Sequence, residues 1–384
     1  MKSMFWLGLT GLLLFEVANV YFIMPMPGSQ EMNSVGLAYF LHSWRWVFRV
    51  IFGAMILIGL YRAKVKHKWL MFIPLILVGA VTYMSNFVMA ADHMFYQPAE
   101  VLMVPAASNK VDTSRLVLGV VHNGEAKAYP IRFLGYHHQV QDSIGGKPVI
   151  VTYCTVCRTG RVFEPMINGR HEMFRLVGMD HFNAMFEDKS TKSWWRQVNG
   201  EAIAGELKGQ ELPEVFSTQT SLAQWMSLHP NTLVMQEDPA YLSSYDTTLD
   251  YESGKSRSKL TGTDSLSWGN KAWVVGIKAG KERRAYDWNQ LKEERIIQDK
   301  AGDLPVMVVL ASDNRSFFAF ERVSDNAMFS LSGDTLVVNN RHFRLDGAGI
   351  DTTGALKRLP AYQEFWHSWK TFNPGTTEHR RIAR

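Results

Sequence analysis

VLGVVHNGEAKAYPIRFLGYHHQVQDSIGGKPVIVTYCTVCRTGRVF, residues 117–163, aligns without a gap on VVGIKAGKERRAYDWNQLKEERIIQDKAGDLPVMVVLASDNRSFFAF, residues 274–320. Fourteen of the 47 paired positions are identical, among them Gly119/Gly276, Tyr129/Tyr286, Asp142/Asp299, Gly145/Gly302, Pro148/Pro305 and Arg158/Arg315. A later echo pairs WMSLHPNT from Trp225 with WKTFNPGT from Trp369. A period of 157 residues is far longer than a solenoid repeat, so two tandem related domains are expected. In each copy a strand (LVLGVV; WVVGIK) leads to a short helix started by Pro130 or capped by Asp287. A glycine turn then precedes a buried strand, Pro148–Tyr153 or Pro305–Leu310. VFEPMI-NG-RHEMFRLVG reads as a hairpin, with Asn168-Gly169 suited to a type I′ turn. The expected fold is α+β and β-rich.

Working outward, the expected organisation is a membrane anchor over 1–94 and a first repeat domain over 95–242. A polar linker over 243–269 and a second repeat domain over 270–384 complete it. The first 91 residues carry nearly all the long apolar runs. Met4–Met24, Trp46–Tyr61 and Trp69–Ala91 are the three candidate transmembrane helices, with Arg49 expected to snorkel toward an interface. Arg62, Lys64, Lys66 and Lys68 crowd the connection between the second and third, which places that loop and the N-terminus in the cytoplasm. Everything after Ala91 is then extracytoplasmic, in a bacterium the periplasmic side of the inner membrane. Glu16 inside a span is either a functional group or a helix-contact residue. With 384 residues, net charge +5 and no long basic block after residue 100, nucleic acid is not an expected partner. The lipid bilayer and other envelope proteins are.

The copies differ where chemistry concentrates. Cys154 and Cys157, the only cysteines, stand opposite Ala311 and Asn314, and His137 stands opposite Glu294. The fold therefore forms without them, which argues for a site over a structural staple, although a disulfide in one copy alone stays open. The first copy also carries MDHFNAMFEDKSTKSWWRQVNGEAIAG, residues 179–205, which the second shortens. It brings Asp180, His181, Asn183 and Met185, with Trp194 and Trp195 expected as packing residues. Arg158 recurs as Arg315 and reads first as scaffold.

AYPIRFLGYHHQVQDSIGGKPVIVTYCTVCRTGRVFEP, followed by SWWRQVNGEAIAGELKG and WMSLHPNTLV, resembles the bacterial family of domain of unknown function 3179. The resemblance covers most of residues 115–236 and, more faintly, the second copy. It implies no reaction, and points to His137, Cys154 and Cys157.

Three functions are open. Two thiolates and an imidazole (Cys154, Cys157, His137) form a soft ligand set that suits copper or zinc, with His181 as a fourth ligand and His138 or Met185 in support. Alternatively Cys154 and Cys157 form a redox dithiol, activated by the adjacent Arg158. The run after them, RTGRVFEPMING, reads as a hairpin, which argues against a thioredoxin fold. Haem attachment is disfavoured, because Arg158 occupies the position where that motif needs histidine. The third reading is a non-catalytic envelope interaction protein. Asp180 read as an acid or base competes with an ordinary solvated loop charge.

Overall fold

The computed structural model describes residues 2–63, 68–351 and 354–381. Lys64 and Lys66, on which the expected orientation partly rests, lie outside the described residues. The chain divides into two compact units, one of residues 1–96 and 172–211, the other of 97–171 and 212–384. The division cuts across the expected boundaries. Residues 172–211 leave the first repeat for the helical unit, and both repeats share a single second unit.

In the helical unit, α1 spans Lys2–Tyr21 and is mostly apolar, with Thr10, Glu16 and Asn19 interrupting it after the first turn. Helices α2 (Val35–Ser43) and α3 (Arg45–Arg62) meet at Trp44 with a bend of 61°. Helix α4 (Phe72–Tyr83) continues into a π-helical turn, Met84–Val88. Ser3–Tyr21 and Trp69–Val88 are long and apolar enough to cross a membrane, and the bent pair makes a third span if counted as one. This is consistent with membrane anchoring. Helices α1 and α3 approach closely because Gly8 and Gly59 present no side chain. A Cβ at Gly59 would lie 2.5 Å from the Phe5 nitrogen, and one at Gly8 2.8 Å from Met55 Cβ.

Arg49 does not snorkel. Its Nε donates to Glu16 Oε1 at 2.7 Å and its Nη2 to Asn86 Oδ1 at 2.6 Å, while Asn86 Nδ2 donates to Glu16 Oε2 at 2.8 Å. Glu16 is fully buried. Neutralising that carboxylate inside the bundle outweighs extending the guanidinium to an interface, since an unpaired buried charge is the costlier state. The unit is completed by a four-stranded antiparallel sheet built from Phe174–Asp180, Asn183–Asp188, Trp194–Arg196 and Ala202–Ala204. His181 and Phe182, at φ 49° and 66°, form its first tight turn.

The second unit holds two arms with the same order of elements. In the first, Leu116–His122 and Glu125–Pro130 pair antiparallel, and the helix Ile131–His137 follows. Three antiparallel strands come next: Gln139–Ile144, Lys147–Cys154 and Thr159–Phe163. After the excursion into the helical unit, strand Ser217–Ser221, helix Leu222–Leu228 and strand Leu233–Met235 close the arm. The second arm runs Trp273–Ala279, Glu282–Asp287, helix Trp288–Glu294, Ile296–Ala301, Leu304–Leu310 and Phe317–Glu321. It closes with Ala361–Phe365, helix Trp366–Phe372 and Thr377–His379. The strand orders match, and each arm lays a tryptophan over a glycine of its first strand. A Cβ at Gly119 would lie 2.1 Å from the Trp225 ring, and one at Gly276 2.2 Å from that of Trp369. Each indole donates to a threonine, Thr232 or Thr376, at 2.8 Å.

The polar stretch 243–269 is docked instead of loose. Tyr245 is buried in the first arm's core, and Glu252 accepts from Arg115 Nη1 at 3.1 Å and from the Leu116 amide at 2.7 Å. Its sequence reads as a linker because its polar groups are prominent. They are spent on these specific partners.

Candidate functional site

Cys154 ends a buried strand and Cys157 lies in the tight turn that follows, closed by Arg158 at φ 55°. The two are thiols, not joined in a disulfide, and both are fully buried. The turn is gripped by the second arm, whose Phe365 amide donates to the Cys157 carbonyl at 3.0 Å. Cys157 shares hydrogen bonds with the Cys154 thiol and with Ser368, and Glu364 is close enough to act on it by charge. Burial, then the Cys154 contact, pushes the Cys157 thiol well above its ordinary range, against a smaller opposing effect of Ser368.

The walls are polar, and most of their side chains pair with one another. Ser368 Oγ donates to Glu364 Oε2 at 2.8 Å, and Thr159 Oγ1 donates to Glu364 Oε1 at 3.0 Å. Arg161 Nη2 makes a salt bridge to the same oxygen, with both partners wholly inside. Lys271 Nζ reaches the Val156 carbonyl at 3.4 Å, and burial lowers its pKa while the two cysteines raise it. His367 is neutral at pH 7, its pKa brought down to about 4 by burial and by the Lys271 charge, with a hydrogen bond to the Val156 backbone opposing.

The histidines expected as ligands are committed elsewhere. His137 Nε2 is 2.8 Å from the Tyr245 hydroxyl, and its ring packs edge-on against Tyr136, Tyr241 and Tyr245. His138, at φ 59°, ends its helix and donates from Nδ1 to the Tyr153 carbonyl at 3.0 Å. Burial takes its pKa down to about 4. His181 belongs to the helical unit, where Nδ1 is 2.7 Å from Asp180 Oδ1. Asp180 in turn accepts from Arg196 Nη2 at 2.6 Å. Asn183 bonds the Gln197 side chain at 2.9 Å, and Met185 is a fully buried packing residue beside Trp194. Among the described residues no group of three or more His, Cys, Asp and Glu is arranged to hold a metal ion.

Arg158 is not aimed at the thiols. Its Nε donates to Gln363 at 3.0 Å, its Nη atoms to the Tyr251 and Glu252 carbonyls at 2.9 and 3.0 Å, and it stacks 3.5 Å from the Trp273 ring centre. It thus ties together both arms and the docked polar stretch. Sequence reasoning missed Arg161, Lys271, Glu364, His367 and Ser368. A signal existed in the register of the echo. Extended from Trp225/Trp369, it sets Glu364 against Thr220, His367 against Ala223 and Ser368 against Gln224. The second copy thus departs from the first around the cysteines as the first departs from the second.

Fold and site together define a β-rich protein with two similar arms and a thiol pair enclosed between them. The chain belongs to the family described as protein of unknown function (DUF3179), whose model matches residues 97–376. The match takes in the cysteines, the second-arm residues that enclose them and the segment 172–211, and leaves the N-terminal helices outside. Neither the curated proteins nor the solved structures searched contain a match to this chain.

Proposed function

We propose that this is a membrane-anchored, extracytoplasmic thiol–disulfide protein in which Cys154 and Cys157 interconvert between dithiol and disulfide. The observation that carries the reading is the direct thiol–thiol contact inside a chamber where Ser368, Thr159, Arg161 and Glu364 are paired with one another. Oxidation by a low-molecular-weight disulfide forms one Cys154–Cys157 S–S bond. It reduces the oxidant to two thiols, which take up the two cysteine protons. The Lys271 cation beside both sulfurs favours the attacking thiolate, and neutral His367 is placed to relay a proton at the same end of the turn. Because burial disfavours the thiolate, the reduced state gains little from ionisation, so the pair is a reducing one that persists as a disulfide once formed. Location outside the cytoplasm rests on the basic connection that begins at Arg62. We read the two arms as copies of one ancestral unit, of which the first kept the thiols.

The test is a redox titration of the full chain in detergent, with free thiols counted by alkylation and mass. The expected result is two thiols lost together and reversibly, with a midpoint below the value of about −270 mV that marks thioredoxin. A pair that never oxidises, or that oxidises irreversibly, sinks the proposal. Stoichiometric copper or zinc on reduced protein purified without chelators would restore the metal reading in its place.

A further inference from the structure

The helical unit contains a cavity of about 650 Å³ whose lining includes Asn19 and Val20 of α1, Arg45 at the helix elbow, and Ser85 and Asn86 of the π-helical turn. Asn19, Val20, Ser85 and Asn86 sit at the last turns of the two helices apolar enough to span a membrane, Ser3–Tyr21 and Trp69–Val88. The cavity therefore opens where hydrocarbon gives way to water. Its floor is the Asn86 amide that joins the Glu16–Arg49 pair.

Three independent features mark it as a binding site. Asn19 is 7% exposed, and its Oδ1 is a buried acceptor without a hydrogen-bond donor among the described residues. Such an oxygen is costly unless something supplies one. Ser85 and Asn86 lie in a π-helical turn, a rare distortion that is found frequently at functional sites. The charges on the lining also do not cancel. Glu187 and Asp92 are taken up by Arg175 at 2.8 and 3.1 Å, and His42 lies 3.5 Å from Glu187. Arg45 and Lys192 make no salt bridge among the described residues, and His93 contacts the Phe87 carbonyl at 3.2 Å.

We propose that this cavity seats the head group of a membrane phospholipid, its phosphate facing Arg45 and Lys192 and a hydroxyl or ammonium donor reaching Asn19 Oδ1. Val17 on α1 and Phe87 and Val88 beside the cavity are exposed apolar residues, which gives the acyl chains a surface to follow. A free phosphate ester offers the same polar contacts without that surface.

Native mass spectrometry of the full chain in detergent tests this, titrating phosphatidylglycerol, phosphatidylethanolamine and phosphatidylcholine in turn. The first two carry a donor and the third does not. One molecule of either donor lipid is expected to be retained per chain, with phosphatidylcholine at least tenfold weaker. Asn19→Leu removes that discrimination by bringing the donor lipids down to the phosphatidylcholine level. It leaves thermal stability in lipid-free detergent unchanged or higher, because an unsatisfied oxygen is removed. The double variant Arg45→Gln, Lys192→Gln weakens all three lipids and keeps the proposal testable should Asn19→Leu fold poorly. Unchanged discrimination in Asn19→Leu, or unchanged binding in the double variant, overturns the site. Competition by millimolar inorganic phosphate or glycerol 3-phosphate as effective as lipid overturns the lipid source.

Discussion

The two arms dock on each other through the same pair of turns, and only one of those turns carries thiols. The turn at 154–158 receives the Phe365 amide on the Cys157 carbonyl. The corresponding turn at 311–315 is held differently. There the Ser221 amide donates to Ser316 Oγ at 2.9 Å and Ser221 Oγ to Asp313 Oδ2 at 2.6 Å. Between them the counterpart glutamines meet, Gln219 Nε2 donating to Gln363 Oε1 at 3.0 Å. Hydroxyls and one carboxylate join the arms on one side, together with Arg315, which donates to the Ser114 carbonyl, and Arg358, which donates to Thr218. On the other side two thiols stand under a buried Arg161–Glu364 salt bridge and a serine. The thiol side costs more in desolvated charge for the same docking task, which is the physical reason to look for chemistry there.

The largest break in the comparison comes from that salt bridge. Arg161→Met or Glu364→Gln strands one buried charge or its hydrogen-bond partners, and a loss of about 3–5 kcal/mol is expected in urea unfolding. At the counterpart of Glu364 the first arm has Thr220, whose buried hydroxyl has no hydrogen-bond partner among the described residues. Thr220→Val should therefore be neutral or stabilising. Equal costs at the two positions would show that the arms are not polarised in this way.

A smaller effect, and one that should be the same in both arms, is expected at the glycines beneath the tryptophans. Gly119→Ala and Gly276→Ala each force a methyl into an indole ring, at an expected cost of about 1–3 kcal/mol apiece. Thermal unfolding of the two variants compares them directly. A large cost in one and none in the other would mean that the arms share an order of elements but not a packing scheme.

Those glycines, with Tyr129/Tyr286 and Asp142/Asp299, were legible in the sequence because they serve the arm that contains them. Tyr129 donates to Asp142 Oδ2 at 2.7 Å across 13 residues, so a repeated local motif reveals both. The enclosure of the cysteines was not legible, since Glu364 and Ser368 come from some 200 residues away and contact prediction by spacing has no purchase at that range. His137 shows the reverse case. A histidine near Cys-x-x-Cys suggests a ligand, yet the tyrosine-rich stretch that reads as a linker supplies Tyr245 as its partner. The segment 172–211 was legible as an addition to the first copy, but not as part of the helical unit, because its burial depends on helices from the other end of the chain.

Acid should separate the arms as well. His367 has an ordinary value of 6.5 in the unfolded chain and about 4 when folded. The unfolded state binds the extra proton, so His367 contributes stability that is complete above pH 6.5 and lost as pH falls toward 4. The position corresponds to Ala223 in the first arm. His367→Ala should flatten part of the decline in thermal stability between pH 6.5 and 4, on the order of 1–3 kcal/mol. An unchanged slope would mean that the ring is already protonated in the fold, and would remove it as a neutral proton relay.

The smallest effect on stability, and the sharpest on chemistry, comes from giving the first arm the second arm's residues. Cys154→Ala with Cys157→Asn reproduces Ala311 and Asn314, and the fold should survive it within about 1.5 kcal/mol, since the second arm already docks without thiols. A difference should open only in alkali. The Cys157 thiol is pushed up by burial, so the native state keeps a proton that the unfolded chain releases near its ordinary value of 9. Stability tied to the thiol is therefore lost as pH rises through that value. The wild type should lose more thermal stability between pH 8 and 10 than the Ala/Asn variant does. Burial, the main cause of the raised tyrosines, acts alike in both proteins and cancels in the difference, leaving only the smaller push of Cys154 on Tyr153 and Tyr251, which acts in the same direction. Maleimide labelling of the wild type should rise over the same interval, whereas a cysteine placed at the exposed Asn314 should label readily at pH 7. Equal labelling of Cys157 and of that Asn314→Cys thiol at pH 7 would mean that the chamber opens freely, and that the two turns differ in sequence but not in what they enclose.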